Sequence, residues 1–155
     1  MRILTIIFFI KLIFLSSCGY KIVNNMYDHN FAIKDLELTG NNDVNKNLKK
    51  FFLKFEDKKD TDKFFDIKVD SNLIKKTTSK NSAGEDNSFS MKVLIKISIL
   101  ENNKIKNSSS FEKSISYNNL SSKFELKQYE KVLISDLTDQ IILDINDYLG
   151  VIKWL

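Results

Sequence analysis

Phe89-Ser90-Met91-Lys92-Val93-Leu94-Ile95-Lys96-Ile97-Ser98-Ile99 is the stretch that decides the fold of this 155-residue chain. Apolar side chains occupy six alternate positions in it. Period-two alternation of this length predicts a β-strand with one buried face and one solvated face. The polar residues 101–104 then indicate a turn, and the alternation resumes over residues 111–117. The sequence therefore predicts an antiparallel hairpin.

Two more strands are predicted on the N-terminal side of this hairpin. Residues 31–38 form a short strand whose alternation slips at Lys34-Asp35, which indicates a β-bulge. Residues 65–73 alternate regularly and predict a strand with one polar face. This strand is predicted to fade at Lys75-Lys76 into a polar loop over residues 79–88.

Two amphipathic helices accompany the strands. Asp43 is the predicted N-cap of the first helix, because apolar residues three or four positions apart follow it on one face. That face consists of Val44, Leu48, Phe51, Phe52 and Phe55. The second helix is predicted over residues 124–149, with a capping box at Ser122 and Glu125 and a stop at Gly150.

The element order is therefore β-α-β-β-β-α, and the predicted fold class is α+β. A helix between the first two strands implies a crossover, so these strands are parallel if they share one sheet. The last three strands form an antiparallel meander. Each helix has one apolar face and each strand alternates, so a two-layer sandwich buries all of them. The expected architecture is a four-stranded mixed sheet with both helices packed on one face.

The N-terminus carries a lipoprotein signal. Arg2 precedes an apolar run over residues 3–15, and Leu15-Ser16-Ser17-Cys18 then forms a lipobox. Residues 1–17 are the predicted signal peptide, and the Cys18 thiol is the predicted site of lipidation, which anchors the chain to a membrane. Residues 18–30 are predicted to be a lipidated N-terminus and flexible tether. Residues 31–155 are predicted to form a single domain.

Composition argues against several classes of function. Removing residues 1–17 takes away Arg2 and Lys11, which leaves 22 basic against 20 acidic side chains, so nucleic acid is not an expected partner. The sequence holds none of the phosphate-loop, dinucleotide, zinc-protease or nucleophile-elbow motifs. His29 is the only histidine and Cys18 the only cysteine. We therefore expect no enzymatic activity, no metal and no cofactor.

Several short motifs then resemble the lipopolysaccharide-assembly lipoprotein (LptE) family. They are Cys18-Gly19-Tyr20 after the lipobox, Ser116-Tyr117-Asn118-Asn119, Gln128-Tyr129-Glu130, and the Asp-Leu-Thr-Asp-Gln-Ile-Ile run at 136–142. The resemblance implies a lipid-anchored protein on the periplasmic face of the outer membrane. It also implies a plug and assembly subunit for a large β-barrel partner, LptD, which inserts lipopolysaccharide into the outer leaflet. Gly19 after the lipidated cysteine fits this location, since an aspartate there retains lipoproteins in the inner membrane.

Two sets of residues are the candidate contacts for these partners. The lipopolysaccharide head groups are assigned to Lys75, Lys76, Lys80, Lys92 and Lys96, with ordinary solvated lysines as the alternative. The barrel interface is assigned to Leu94, Leu100, Ile134 and Ile142, which are expected to lie outside the core. The alternative function is an auxiliary lipid-binding lipoprotein of another envelope transport system. Such a protein should hold a cavity between sheet and helices, whereas a plug should be packed solid.

Overall fold

The computed structural model describes residues 31–56 and 61–152, which form a four-stranded sheet with two helices on one face. The elements are β1 (Ala32–Gly40), α1 (Asn42–Phe52), a 3₁₀ turn (Leu53–Phe55), β2 (Phe64–Lys80), β3 (Asp86–Glu101), β4 (Lys104–Asn118) and α2 (Lys123–Val151). The predicted α+β class and the order β-α-β-β-β-α are confirmed. The predicted signal peptide, Cys18 and the tether lie outside the described residues.

The strand order in the sheet follows the chain, β1-β2-β3-β4. β1 and β2 are parallel, and their register shifts between Ile33 and Asp35, which confirms the bulge predicted at Lys34-Asp35. β2, β3 and β4 form the predicted antiparallel meander. Because residues that face each other share a side of the sheet, the register decides which side chains can reach the helices.

The meander is longer than the sequence predicts. β2 continues to Lys80 and pairs with β3 through Lys80 and Asp86, so the predicted loop over residues 79–88 is wrong. The true turn covers only residues 81–85, where Asn81 Oδ1 accepts hydrogen bonds from the Ala83 and Glu85 amides at 3.0 and 2.9 Å. Polar residues extend the ladder here because its hydrogen bonds are made by the backbone and do not require apolar side chains.

The hydrophobic core lies between the sheet and the helices. All six alternate apolar residues of the deciding stretch are buried there, none of them more than 6% exposed. The apolar face predicted for α1 and the following turn is also buried. α2 contributes Leu133, Ile134, Leu137, Ile141, Ile145 and Leu149. The space between the layers is thus filled by side chains of the cluster.

Two halves of the sheet differ in how they are covered. In the root half, β1 extends the sheet beside residues 64–71 of β2 and the facing residues 95–100 of β3. In the tip half, residues 72–80 of β2 have no neighbour on that side among the described strands, and the sheet there is three-stranded. α1 packs on β1 and α2, so it covers the root half only.

Gly40 and Ser71 mark the boundary between the halves. Gly40 has φ +93°, and a Cβ atom built on it would lie 1.9 Å from the Ser71 carbonyl oxygen. Only glycine, which has no Cβ atom, fits at position 40, where the chain leaves the sheet. Asn41 caps α1 through Oδ1, which accepts from the amides of Asp43 and Val44 at 3.0 and 3.1 Å. The predicted cap, Asp43, is wrong by two positions.

Candidate interaction surfaces

The face of the sheet that carries no helix holds four of the five candidate lysines. Lys92 and Lys96 alternate with the buried residues of β3, and Lys76 faces Ser90 across the ladder. Lys92 Nζ lies 3.2 Å from Glu112 Oε1 on β4, and Lys96 faces Asp70 on β2. Lys80 ends β2 beside the turn. These lysines are spread along the strands among carboxylates and do not converge on one point.

Lys75 lies on the opposite face, against α2. Its Nζ contacts Glu130 Oε1 at 2.6 Å and lies 4.1 Å from the centroid of the Phe89 ring. The Tyr117 hydroxyl donates to the same Glu130 oxygen at 2.8 Å. Lys75 therefore does not join Lys76 and Lys80 in a head-group cluster, because successive strand residues point to opposite faces. Lys75, Glu130 and Tyr117 together form a polar clamp between the tip half and α2.

Tyr117 is the titratable group most affected by this clamp. Burial against Phe89 and α2 raises the pKa of its phenol well above the ordinary value, since the phenolate would lose its hydration. The hydrogen bond to the Glu130 carboxylate raises the pKa further, because only the neutral hydroxyl can donate it. At neutral pH the Tyr117 phenol therefore stays protonated and donates its hydrogen bond to Glu130.

The four candidate barrel contacts also differ from one another in position and exposure. Leu94 and Leu100 lie on the face without helices, as expected, but Leu100 is only 8% exposed. Ile134 is likewise 8% exposed and belongs to the core cluster, and Ile142 packs partly buried against that cluster. The expectation that Ile134 lies outside the core is wrong, since it shares the buried side of α2 with Ile141 and Ile145.

Other apolar side chains on α2 offer the exposed area that these residues lack. Val132 is 55% exposed and Leu143 is 66% exposed. They are eleven residues apart, about three helical turns, and so lie along one line of the helix. Phe124, at the start of α2, is 72% exposed. The signal was present in the sequence, because Val132 and Leu143 fall outside the three-and-four repeat that the core uses.

Two surface grooves flank α1. One, of about 760 Å³, separates α1 from β1; Leu36 and Leu38 line it from the strand, and Lys46 and Lys49 line it from the helix. The other, of about 360 Å³, lies between α1 and α2 and is lined by Lys50, Lys54, Asp139 and others. Burial, and then the neighbouring Asp136, raise the pKa of the Asp139 carboxyl, while Lys50 opposes that shift.

Within residues 31–56 and 61–152, no cluster of three or more His, Cys, Asp or Glu side chains could hold a metal ion. None of the helices in the same ranges has both the length and the apolar character needed to cross a bilayer.

Comparison with known proteins finds similarity of fold. No family model matches the chain, and no curated protein matches it significantly. Rare lipoprotein B from Shewanella oneidensis aligns with TM-score 0.54 and 11% identity over 76% of this chain and 95% of that one. A minor lipoprotein from Acinetobacter baumannii aligns with TM-score 0.54 and 18% identity over 77% of this chain and 92% of that one. Lipoprotein B from Nitrosomonas europaea aligns with TM-score 0.52 and 14% identity over 75% of this chain and 80% of that one. The fold is thus one found in bacterial lipoproteins.

Proposed function

We propose that this protein is a lipid-anchored outer-membrane lipoprotein that acts as plug and assembly subunit of a β-barrel translocon for lipopolysaccharide. The anchor is Cys18, acylated after removal of residues 1–17, and the folded part stands on the periplasmic face. Its role is structural and not catalytic. The partner is a large barrel of the LptD kind.

One observation carries this proposal. A lipobox running into Cys18-Gly19-Tyr20 precedes a β-α-β-β-β-α fold that recurs in rare lipoprotein B and in two further bacterial lipoproteins. The sequence resemblance to the lipopolysaccharide-assembly family depends on short motifs, whereas the structural similarity depends on the course of the backbone. Two independent kinds of likeness therefore support the same class of envelope protein.

The packing supports a plug in preference to a carrier. Buried apolar side chains fill the space between sheet and helices, and the two largest grooves described above are open to solvent. Exposed apolar side chains, in contrast, stand on α2 at Val132 and Leu143. A protein that seals against a partner needs such outward apolar area, and specific interfaces bury roughly 800 Å² per partner.

Affinity purification of the lipoprotein from detergent-solubilised membranes tests the proposal. A single large β-barrel protein should copurify with the full-length chain, and Cys18→Ala should leave an unprocessed or soluble chain without it. A mutant that stays membrane-bound after a high-salt wash and runs at mature size would contradict the anchor.

The interface on α2 is tested in the same assay. The double variant Val132→Asp, Leu143→Asp should keep near-wild-type melting and lose the barrel, because both side chains are exposed. The matched control is Gln128→Asp, Gln140→Asp, which adds the same charge at exposed positions of the same helix. Equal loss of the barrel in both variants would point to charge and not to apolar contact.

The β1–α1 groove favours a second function, the binding of a lipid by this protein alone. Its wall combines the apolar Leu36 and Leu38 with the cationic Lys46 and Lys49, which suits an acyl chain with a phosphate head group. Leu36→Glu, Leu38→Glu should then abolish binding of a fluorescent acyl probe. If the wild-type protein does not bind the probe, this alternative fails and the plug proposal is unaffected.

A further inference from the structure

The solvent side of α1 carries an unusual concentration of positive charge. Lys46, Lys49, Lys50 and Lys54 are exposed, and they lie opposite the buried face of the helix. Leu53 stands among them and is 46% exposed. At 3.6 residues per turn Lys46, Lys49 and Lys50 fall on one side of α1, and the exposed Leu53 and Lys54 of the 3₁₀ turn follow directly after the helix. We call this set the α1 basic face.

Ion pairs offset the charge of some lysines of the sheet, but of none of the lysines on this face within the described residues. Five other lysines form ion pairs with carboxylates on neighbouring strands or on α2: Lys68, Lys75, Lys92, Lys106 and Lys113. No residue of the α1 basic face takes part in an ion pair within the described part of the chain. Its acidic neighbours are Asp43 in the first turn, Asp35 and Glu56 around the β1–α1 groove, and Asp139 across the α1–α2 groove. Lys34 also lines the β1–α1 groove, so five ammonium groups stand against these four carboxylates and the surface keeps a small net positive charge.

The position of the chain's N-terminal side is the second observation. The Phe31 ring stacks on the Phe55 ring with centroids 5.4 Å apart and an interplanar angle of 5°. The first described residue therefore lies beside the end of α1. The predicted tether, residues 18–30, has thirteen residues and can span at most about 45 Å from Cys18 to this point, even when fully extended. A lipid anchor at Cys18 thus limits the distance between the bilayer and this end of α1 to about 45 Å, which lets the α1 basic face reach the membrane surface.

From these two observations we propose that the α1 basic face docks on the anionic phospholipid surface of the leaflet that holds the anchor, with phosphatidylglycerol-type head groups as its ligand. Ammonium groups gather at a negative surface, each contributing roughly a fivefold preference, and the exposed Leu53 side chain enters the head-group layer. The inference rests on the proposed lipid anchor and is independent of the barrel partner. Docking orients the free lipoprotein, with the tip half directed away from the membrane.

The cysteine content makes this orientation measurable. Cys18 is the only cysteine in the chain, so once it is lipidated an introduced cysteine is the only thiol. Leu53→Cys places an environment-sensitive fluorophore in the α1 basic face. Gln128→Cys places the same probe on α2 near the tip half, as the control position. Both lipidated proteins are reconstituted into vesicles that contain a quencher-bearing phospholipid.

In vesicles with 30% phosphatidylglycerol the probe at position 53 should be quenched several-fold more than the probe at position 128. Quenching at 53 should fall in pure phosphatidylcholine vesicles and in 0.5 M salt, because the Debye length shrinks. Replacing all four lysines of the α1 basic face by Gln should lower the docked fraction at least tenfold. The matched control replaces four exposed lysines of the tip half and the start of α2, namely Lys76, Lys80, Lys123 and Lys127, and should change little.

Equal quenching at both positions, no dependence on phosphatidylglycerol, or an equal loss in the control variant would each overturn the inference. Quenching that needs added lipopolysaccharide would assign the face to a different lipid and would also overturn it. If each chain takes up two dye molecules instead of one, the Cys18 thiol is free and not lipidated. That result refutes the lipid anchor itself and so differs from a failure of docking.

Discussion

The root and tip halves of the sheet are stabilised by different physical means. In the root half, Phe31, Phe55 and Phe65 pack their rings together, with centroids of Phe31 and Phe65 6.1 Å apart. In the tip half α2 meets the sheet through the polar clamp of Lys75, Glu130 and Tyr117. Both ends of the sheet bury apolar side chains, among them Phe89, Met91 and Val93 in the tip half, but the tip half adds directional contacts with charge between the sheet and α2.

The difference teaches which conditions each half should sense. Apolar burial depends little on pH or salt, so the root half should respond mainly to changes of side-chain volume. A clamp of an ammonium, a carboxylate and a phenol depends on the protonation of each member. The following predictions test this contrast, from the largest expected effect to the smallest.

Phe52→Ala should cause the greatest loss of stability. Phe52 is 0% exposed and lies beside Phe51, with ring centroids 5.1 Å apart. Removing a buried phenyl ring costs about 3–5 kcal/mol in the free energy of unfolding. Urea denaturation measures this loss. Leu143→Ala, at a position 66% exposed, is the control and should cost less than about 0.5 kcal/mol.

Gly40→Ala should cost at least about 2 kcal/mol, because the new Cβ would strain the backbone at φ +93° and also collide with Ser71. Gly84→Ala is the matched control. Gly84 has φ +81° but nothing within 4 Å of its Cβ position, so only the strain of about 1 kcal/mol applies. Equal melting temperatures for the two variants would show that the Ser71 contact at the boundary adds nothing.

Glu130→Ala should destabilise by about 2 kcal/mol, since it removes a carboxylate that accepts from both Lys75 and Tyr117. Hydrogen exchange should speed up in the tip half more than in the root half. Glu112→Ala breaks only the exposed pair with Lys92 and should cost no more than about 1 kcal/mol. Uniform acceleration of exchange over the whole sheet would mean that the clamp is not local.

The Tyr117 phenol gives the tip half a dependence on alkaline pH. Its folded-state pKa is raised above the unfolded value, so the folded chain holds the proton where the unfolded chain loses it. The stability that Tyr117 contributes is therefore complete below about pH 10 and declines as pH rises from there. Glu130→Gln should lower the pKa of Tyr117, read from tyrosinate absorbance with Tyr117→Phe as the reference.

Lys92→Gln, Lys96→Gln should have the smallest effect on folding, within about 0.5 kcal/mol, because both side chains lie on the face without helices. The variant should nevertheless weaken binding of lipopolysaccharide in a salt-sensitive manner if this face meets the head groups. Unchanged binding at low ionic strength would remove Lys92 and Lys96 from the candidate contacts and leave the folding contrast intact.

The sequence predicts the elements of this fold well because the buried positions are periodic. β3 and α2 repeat their apolar residues regularly enough to fix both the element and its inner face. The period-two pattern even contains the position of Lys75, two residues after Leu73, on the inner side. The charge of Lys75 nevertheless favours a solvated position, and its hydrogen-bond acceptor Glu130 is 55 residues away in the chain, so no local pattern indicates the contact.

Surface roles are harder to predict, since they depend on distances between elements. Ile134 and Leu143 are similar residues in one helix, yet one belongs to the core and the other is 66% exposed. Nine residues separate them, which places them on opposite sides of α2, and the packing of the whole helix decides which of these sides meets the sheet. The stacking of Phe31 on Phe55 likewise places the start of the folded part beside the α1 basic face, and no local sequence pattern predicts that contact.

The parallel pairing of β1 with β2 also has a consequence for the order in which the strands pair during folding. Leu38 pairs with Val69, 31 residues later, whereas each strand of the meander pairs with its immediate successor. Local hairpins close quickly and distant pairings slowly. A chain exported N-terminus first would present β1 and α1 long before their neighbours arrive. We therefore expect the meander and α2 to assemble first and to serve as the template on which β1 is the last strand to dock.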